Sequence, residues 1–595
     1  MIKQKTNKIY STKSKIDSEK MQKAQALKPH IVKKLSSKET HPETVKFVAL
    51  GGFEEIGRNM MYLEYKDEII IIDMGLQFPE EDTPGIDYII PNISSLEAKK
   101  DNIRAVIITH GHYDHIGAIP HLMGRLGNPI IYTSLISKEI ILKRQEDFPN
   151  APKLNFEIVK SGDVHQLSEH FKVEFFGITH NVPDGFCMVL DTPVGKIVHG
   201  GEFKFDYDFN GNPRGLDVWK KIGDQNIHTL LLESTGAEVP GYSVSERIVE
   251  QELEKLFKKA EGRIIVGTFA SLLDRLAEII KIAEKLDKKV AISGFSMKNN
   301  IDIVRNIGYM KVEKNTIIPL EDIHKYRDDK LLLLCTGAQG EPNASLMRIA
   351  NGEYRQIQIK KGDTVILSSS IVPGNERSVQ VLKDNISRQG ALVYHYGTMD
   401  IHSSGHAPQE ELKTVMKLVR PKFFIPMHGY YFMRQKNSQN AQEAIGLKPQ
   451  NIIMADNGQI LEITKTNIKI TEESVPAFYV MVDGLGVGDV GEIVMRDRKI
   501  LAEEGMVVII ATLDRKTGRF LKNPDIISRG FIYLKENKEL VEEVRKKIRL
   551  MIAKIPNHQQ VEPDYIKALM RDQIGQFLYN KTKRRPMILP VVIQV

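Results

Sequence analysis

The stretch IITHGHYDHIGAI, residues 107–119, runs from apolar residues into His110-Gly111-His112-Tyr113-Asp114-His115 and returns to apolar residues behind Gly117. Three imidazoles and one carboxylate within six residues cannot share one face of a regular helix or strand. The spacing predicts a tight loop after a strand, with its polar side chains folded inward as a metal clamp. Neutral imidazole nitrogen suits zinc, and carboxylate oxygen is its usual companion where one position stays open for water. The alternative is a surface loop that happens to be rich in histidine, and HxHxDH is far more specific than a lone histidine pair.

Upstream of the loop, VKFVALGGF (45–53), Met61–Tyr65 and Glu68–Asp73 read as strands of an opening meander. A strand, the histidine loop, a helical pattern and another strand fill residues 101–133. Further strands are predicted at Phe171–Gly177, Cys187–Thr192 and Lys196–His199. His180 follows the first of these and Glu202 the last, and strand ends on one sheet edge can gather side chains distant in sequence. A third cluster holds His402, His406 and His428. If His428 joins the loop, the first domain is discontinuous and the segment between is an insertion.

That segment, residues 246–390, alternates helical periods with short apolar runs, which argues a parallel α/β domain. Its turns Gly337–Pro342 and Pro373–Glu376 could cradle an anion, although neither is a P-loop, since no Gly-Lys-Ser/Thr follows. Beyond residue 456 come strands in VMVDGLGVGDVGEIVM (480–495) and MVVIIATLD (506–514), helices at 539–555 and 565–579, and a basic run Lys581–Pro586. This region reads as a linker and small α/β domain whose default role is assembly.

A chain of 595 residues exceeds one core, and about two to four domains are expected. No apolar run reaches the roughly 20 residues of a membrane span. Two cysteines imply no disulfide framework and fit a reducing cytosol. The net charge of +7 permits a polyanionic partner without requiring one. Residues 1–45 are lysine-rich, with little to bury, and are expected to be a disordered extension.

With these features in place, the chain resembles metallo-β-lactamase-fold nucleases with a β-CASP insertion, and within them the bacterial ribonuclease J family. GGFEEIGRNM, HGHYDHIGA, GEFKFD, TGAQGEP, SSSIVPGNE, HSSGHAPQEEL, FFIPMHG, DGLGVGDVG and ISRGF carry the resemblance colinearly from about residue 46. It implies an α/β fold: a metallo-β-lactamase αββα sandwich (46–245 and 391–455), interrupted by a parallel β-CASP domain (246–390), with a small C-terminal α/β assembly domain (456–595). It also implies two zinc ions, with manganese or magnesium as alternatives. His110, His112 and His180 would hold one, Asp114, His115 and His428 the other, and Glu202 would bridge them. Ser404, Gly405, His406 and Ser271 would bind substrate. His406 would donate a proton to the leaving group, Glu233 would orient a histidine, and Asp114 would serve catalysis as well as metal binding. The implied activity is endonucleolytic and 5′-to-3′ exonucleolytic cleavage of single-stranded RNA in cytoplasmic mRNA decay and rRNA maturation. The enzyme would be a homodimer or tetramer, or would pair with a paralogue, and would not associate with membrane.

Three positions depart from the family pattern. Glu202 replaces a bridging Asp, Leu272 replaces an Asn after Ala270-Ser271, and Tyr430 replaces a Glu after His428-Gly429. Glu202 and Leu272 are the support for a second reading, a weakly active or non-catalytic scaffold for an active paralogue. A small-molecule hydrolase of the same fold is a third, and an insertion facing the site argues against it.

Overall fold

An antiparallel meander of Val45–Gly51, Met60–Tyr65 and Glu68–Ile72 opens an eight-stranded sheet. The chain then adds Ile103–Ile107, Ile131–Thr133 and Phe156–Ile158 in parallel. Gln459–Ile463 and Ile468–Ser474 extend the opposite edge through Val45–Gly51. In this computed structural model the described residues are 43–79, 83–372, 374–515, 517, 519–532, 536–554 and 562–595. Most of the lysine-rich extension, Pro373 of the second expected anion cradle and Ile555 of one predicted helix lie outside them.

A second, six-stranded sheet runs in the order Phe423–Met427, Thr229–Glu233, Gly195–His199, Gly185–Thr192, Lys172–Ile178, Val164–Gln166. Phe47, Leu63, Ile70, Ile107 and Leu461 of the first sheet join Phe175, Phe186, Leu190, Leu231 and Ile425 of the second in one buried core. The outer face of the second sheet, with Val189, Val198, Leu230 and Phe424, packs under Trp219, Leu412, Met416 and Ala441 of three helices. Ile69 and Ile71 are as buried as Ile70 and Ile72. A strand covered on both faces shows no alternation, which is why residues 68–72 read EIIII. These layers are the αββα sandwich.

The intervening chain builds a six-stranded sheet ordered Ile317–Ile318, Lys289–Ser293, Leu331–Cys335, Ile264–Gly267, Thr364–Leu367, Leu392–His395, parallel throughout. Its central strands are apolar along their length because helices cover them. A buried ion pair ties two strand starts together: Arg263 Nε and Nη2 donate to Asp363 Oδ1 and Oδ2 at 3.0 and 2.6 Å. In the expected Gly337–Pro342 cradle, Gln339 donates to the Ser370 carbonyl at 2.7 Å and accepts from the Val372 amide at 2.8 Å.

Phe78–Ile89 and Val480–Val595 form a separate unit. Met506–Leu513 alternates, burying Val507, Ile509, Ala511 and Leu513 against the helices Lys538–Ala553 and Pro563–Thr582. Asp525–Arg529 and Met587–Gln594 flank it.

Four details differ from the sequence reading. Leu392–His395, placed with the second part of the sandwich, pairs in parallel with Thr364–Leu367 and closes one edge of the inserted sheet. Gln459–Ser474, placed with the C-terminal region, belongs to the first sheet, where Leu461, Ile463 and Ile468 enter the shared core. Phe78–Ile89, placed with the first domain, joins the C-terminal unit, where Ile86 and Ile89 pack with Met495. Glu492–Glu504 is a helix rather than a strand continuation, with Gly491 extended at its N-cap and Glu492 complementing the positive end of its dipole.

Candidate metal centre and active site

The HxHxDH segment is half loop and half helix. Residues 108–112 are irregular, and Tyr113–Ile116 forms one helical turn with His112 at its N-cap, so Asp114 and His115 project from that turn. The chain after Asp73 runs hard against it. Met74 donates its amide to the His115 carbonyl at 2.7 Å. A Cβ on Gly75 would stand 1.5 Å from the Asp114 carbonyl oxygen, so only glycine fits.

Around this turn, His110, His112, His180 and Glu202 each bring a ligand atom within 4.8 Å of the others. Asp114, His115, Glu202 and His428 do the same, and Glu202 is common to both groups. Its Oε1 lies 2.7 Å from His115 Nε2 and 2.7 Å from His428 Nδ1. Its Oε2 lies 3.2 Å from His180 Nε2 and 3.6 Å from His110 Nε2. The extra methylene relative to Asp leaves one carboxylate oxygen facing each group.

The outer partners assign the tautomers. His180 Nδ1 donates to the Gly405 carbonyl at 2.7 Å, which leaves Nε2 as a lone pair facing Glu202 and, at 3.2 Å, His112 Nδ1. His115 Nδ1 lies 2.8 Å from Asp73 Oδ2 and donates to it, which points its Nε2 at Glu202. Burial opposes charge on His115, but Glu202, Asp114 and Asp73 override it and hold the imidazole well above its ordinary range. Imidazole nitrogens crowded onto one carboxylate at such distances call for positive charge among them, which a bound cation or a proton on His115 supplies. Among the described residues His428 Nε2 is also buried without a hydrogen-bond partner. Imidazole and carboxylate donors in two groups sharing one carboxylate fit a pair of divalent cations.

Burial, and then the charge of His115, push His110 well below the ordinary imidazole range. Burial likewise lowers His180, so both present the neutral form that can ligate. Burial would raise Glu202, but His428 and then His115 hold its carboxyl well below the usual carboxylate range.

Beside these groups, His406 Nδ1 lies 2.5 Å from Oε2 of the fully buried Glu233. The other oxygen of Glu233 accepts the Phe203 amide at 2.8 Å. Burial opposes charge on His406, but Glu233 overrides it and the imidazole is raised to about 9. Its ring centroid is 5.3 Å from that of His180 and 5.8 Å from that of His428. Ser404 Oγ accepts the His406 amide at 3.2 Å. Gly405 has no room for a side chain, because a Cβ would meet Asn181 Nδ2 at 2.4 Å and His180 Cε1 at 2.8 Å.

Two sequence candidates stand apart. Ser271 lies in the turn after Ile264–Gly267, its carbonyl accepting the Leu273 amide at 2.8 Å, and Leu272 beside it is buried. His402 belongs to neither ligand group; it is buried with Nδ1 unpartnered among the described residues.

Sequence reasoning missed Asp73, Thr109 and Asn59. Asp73 accepts the Thr109 amide at 2.8 Å and the Thr109 hydroxyl at 2.9 Å while holding His115. Asn59 Nδ2 donates to the Asp114 carbonyl at 3.1 Å and lies 3.0 Å from His115 Nε2. Asp73 ends a four-isoleucine run and turns inward on a backbone with φ of 62°, a conformation the sequence does not announce.

The chain matches the metallo-beta-lactamase superfamily over residues 54–238 and the ribonuclease J beta-CASP domain over 261–386. It also matches the Zn-dependent metallo-hydrolase RNA specificity domain over 398–452 and the ribonuclease J C-terminal domain over 493–595. It is 39% identical over 552 residues to Ribonuclease J 1 of Streptococcus pyogenes serotype M3, covering 93% of this chain and 98% of that one. It is 35% identical over 560 residues to Ribonuclease J2 of Bacillus subtilis, covering 94% of this chain and 100% of that one. A crystal structure of a protein of unknown function from Enterococcus faecalis V583 shares the fold, with a TM-score of 0.51 at 18% identity over 72% of this chain and 100% of that one.

Proposed function

This chain belongs to the ribonuclease J family, and from that premise we propose that it is a metal-dependent hydrolase of RNA phosphodiester bonds, acting on single-stranded RNA as an endonuclease and a 5′-to-3′ exonuclease. The observation that carries the reading is the sharing of Glu202 between two four-residue ligand groups, with the His406–Glu233 pair alongside.

In this reading His110, His112, His180 and Glu202 would hold one cation, and Asp114, His115, Glu202 and His428 the other. Zinc is the ion best matched to the imidazoles, with manganese or magnesium as substitutes according to availability. Bound there, the pair supplies Lewis acidity toward the phosphate and a nucleophile from water near neutral pH. The chain's own residues do the rest. Asp73 and Asn59 fix the direction of His115 and Asp114. Glu233 holds the His406 ring by Nδ1, so that its Nε2 carries a proton to the leaving oxygen. Ser404 and the close-packed Gly405 bind the phosphate. The β-CASP insertion, residues 246–390, gives a polymer a second wall. The buried Leu272 supplies no donor beside Ser271, which favours internal cleavage over trimming from a 5′-monophosphate.

The proposed setting is cytoplasmic RNA decay and rRNA maturation, in a dimer or tetramer, with itself or a paralogue. Leu589, Val591 and Ile593 expose an apolar row on the C-terminal unit that supports an assembly role. Among the described residues no helix is long and apolar enough to cross a membrane.

Cleavage of a 5′-labelled RNA by the purified chain, with and without chelator, tests the reading. Internal products that vanish with chelator and return with zinc or manganese are expected. Absence of cleavage in every metal would overturn it.

A further inference from the structure

His428 is followed by Gly429 and then by three consecutive aromatics, Tyr430, Tyr431 and Phe432, where the helix Tyr431–Ile445 begins. All three are exposed, Tyr430 at 37%, Tyr431 at 56% and Phe432 at 49%. The rings of Tyr430 and Phe432 lie 10° from parallel, with centroids 6.2 Å apart. The buried side of the helix is formed by Arg434, Asn437, Ser438, Asn440 and Ala441, so the aromatics are not its core contact.

This aromatic step is fixed to the reaction site. Thr235 Oγ1 and the Ser234 amide donate to the His428 carbonyl at 3.1 and 3.2 Å. A Cβ on Gly429 would meet Ser234 Cβ at 3.2 Å and Met433 Cβ at 3.3 Å, so the backbone there is pressed against Ser234. Asn437 Nδ2 donates to the Glu233 carbonyl at 2.8 Å and locks the helix to the strand that carries the partner of His406. Tyr430 is two residues from His428, which limits their Cα separation to about 7 Å. The backbone that carries the rings therefore borders His428 and its ligand group.

Exposed, rigidly mounted aromatic faces next to a phosphodiester site match how proteins hold unpaired bases, since every base offers a π-face. We propose that Tyr430 and Phe432 form a stacking platform for the nucleobase flanking the scissile phosphate, setting the register of single-stranded RNA in the site. The proposal rests on the ribonuclease reading above and adds the residues that grip the base.

The test compares wild type, Tyr430→Ala, Phe432→Ala, Phe432→Leu and the conservative Tyr430→Phe and Phe432→Tyr. The substrates are an RNA with a single cleavage position and the same RNA with an abasic nucleotide on either flank. Base–aromatic stacking corresponds to roughly 5- to 150-fold in affinity. For Tyr430→Ala, Phe432→Ala and Phe432→Leu we expect KM on the intact RNA to rise about tenfold or more. In wild type, one abasic flank should raise KM by a similar factor, and the alanine variants should show no further rise on that substrate. Tyr430→Phe and Phe432→Tyr should keep the wild-type KM. Unchanged KM in the alanine variants, equal rises on intact and abasic RNA, or wild-type KM in Phe432→Leu would overturn the platform. Wild type that cuts no RNA would overturn the ribonuclease reading itself. If the alanine variants change only the oligomeric state, with KM unaltered, the aromatics serve a protein contact and the platform is wrong.

Discussion

Nδ1 of His406 lies 2.5 Å from Oε2 of Glu233, a carboxylate with no solvent exposure whose other oxygen is engaged by the Phe203 amide. The pair fixes both the direction of the ring and the nitrogen left for substrate. Glu233→Gln preserves an acceptor for Phe203 but removes the anion behind the imidazole. Its kcat on RNA is expected to fall roughly 10²- to 10⁴-fold with little change in KM or Tm. Residues acting as a unit are non-additive, so Glu233→Gln combined with His406→Ala should be about as slow as His406→Ala alone. Steady-state kinetics of the three variants check this, and a wild-type kcat in Glu233→Gln would remove the pair from the chemistry.

Asp73 touches no substrate in this account and acts through His115. Carboxylates behind ligating histidines typically matter by about 10- to 100-fold in metal affinity or activity. Asp73→Asn is therefore expected to weaken metal binding by about that factor, read by titration of the metal-free protein. A variant with wild-type affinity would make the contact merely structural.

Leu272 is buried in the turn where the family pattern places a polar donor. RNAs bearing a 5′-monophosphate and a 5′-hydroxyl are expected to be cut at similar rates. A large preference for the monophosphate would contradict this reading of the turn.

Arg263 and Asp363 form a buried, doubly bonded pair at the base of the parallel sheet. Removing one partner strands the other charge. Asp363→Ala is expected to cost about 3–5 kcal/mol in a denaturant unfolding experiment.

Glu246 joins Lys204 and Arg275, each 2.5 Å away. Burial would raise its carboxyl, but Arg275 and then Lys204 hold it below the ordinary carboxylate range. A carboxyl lowered on folding contributes stability that is present above the unfolded value, about 4.3, and is lost as pH falls through the folded value. Glu246→Gln should lower Tm at neutral pH and reduce the further drop on acidification. Parallel Tm–pH curves for the variant and wild type would contradict the assignment.

The HxHxDH loop was legible as a candidate ligand group because its histidines and aspartate are local and their spacing fits no regular element. His180, Glu202 and His428 were visible only as polar residues at strand ends, a place where isolated ones are usually structural; colinear motifs gave them meaning. Asp73 was read as the end of a strand, since nothing in EIIIID marks its carboxylate as inward-facing. Phe78–Ile89 was misplaced because apolar Ile86 and Ile89 do not declare which core they enter. Residues 492–495 were read as strand because three apolar residues after a glutamate are too few to separate a helical from a strand period. The aromatics after His428 are plain in sequence, but only their exposure and parallel rings set them apart from a core stripe.

RNA cleavage is expected to depend on metals held by the paired ligand groups. The most direct test is the metal content and RNA cleavage rate of wild type beside the double variant His112→Ala, Asp114→Ala, with folding checked by circular dichroism and Tm. About two metal ions per wild-type chain are expected, with fewer in the folded double variant and loss of its cleavage. A cleanly folded double variant that cuts RNA at the wild-type rate would contradict that dependence.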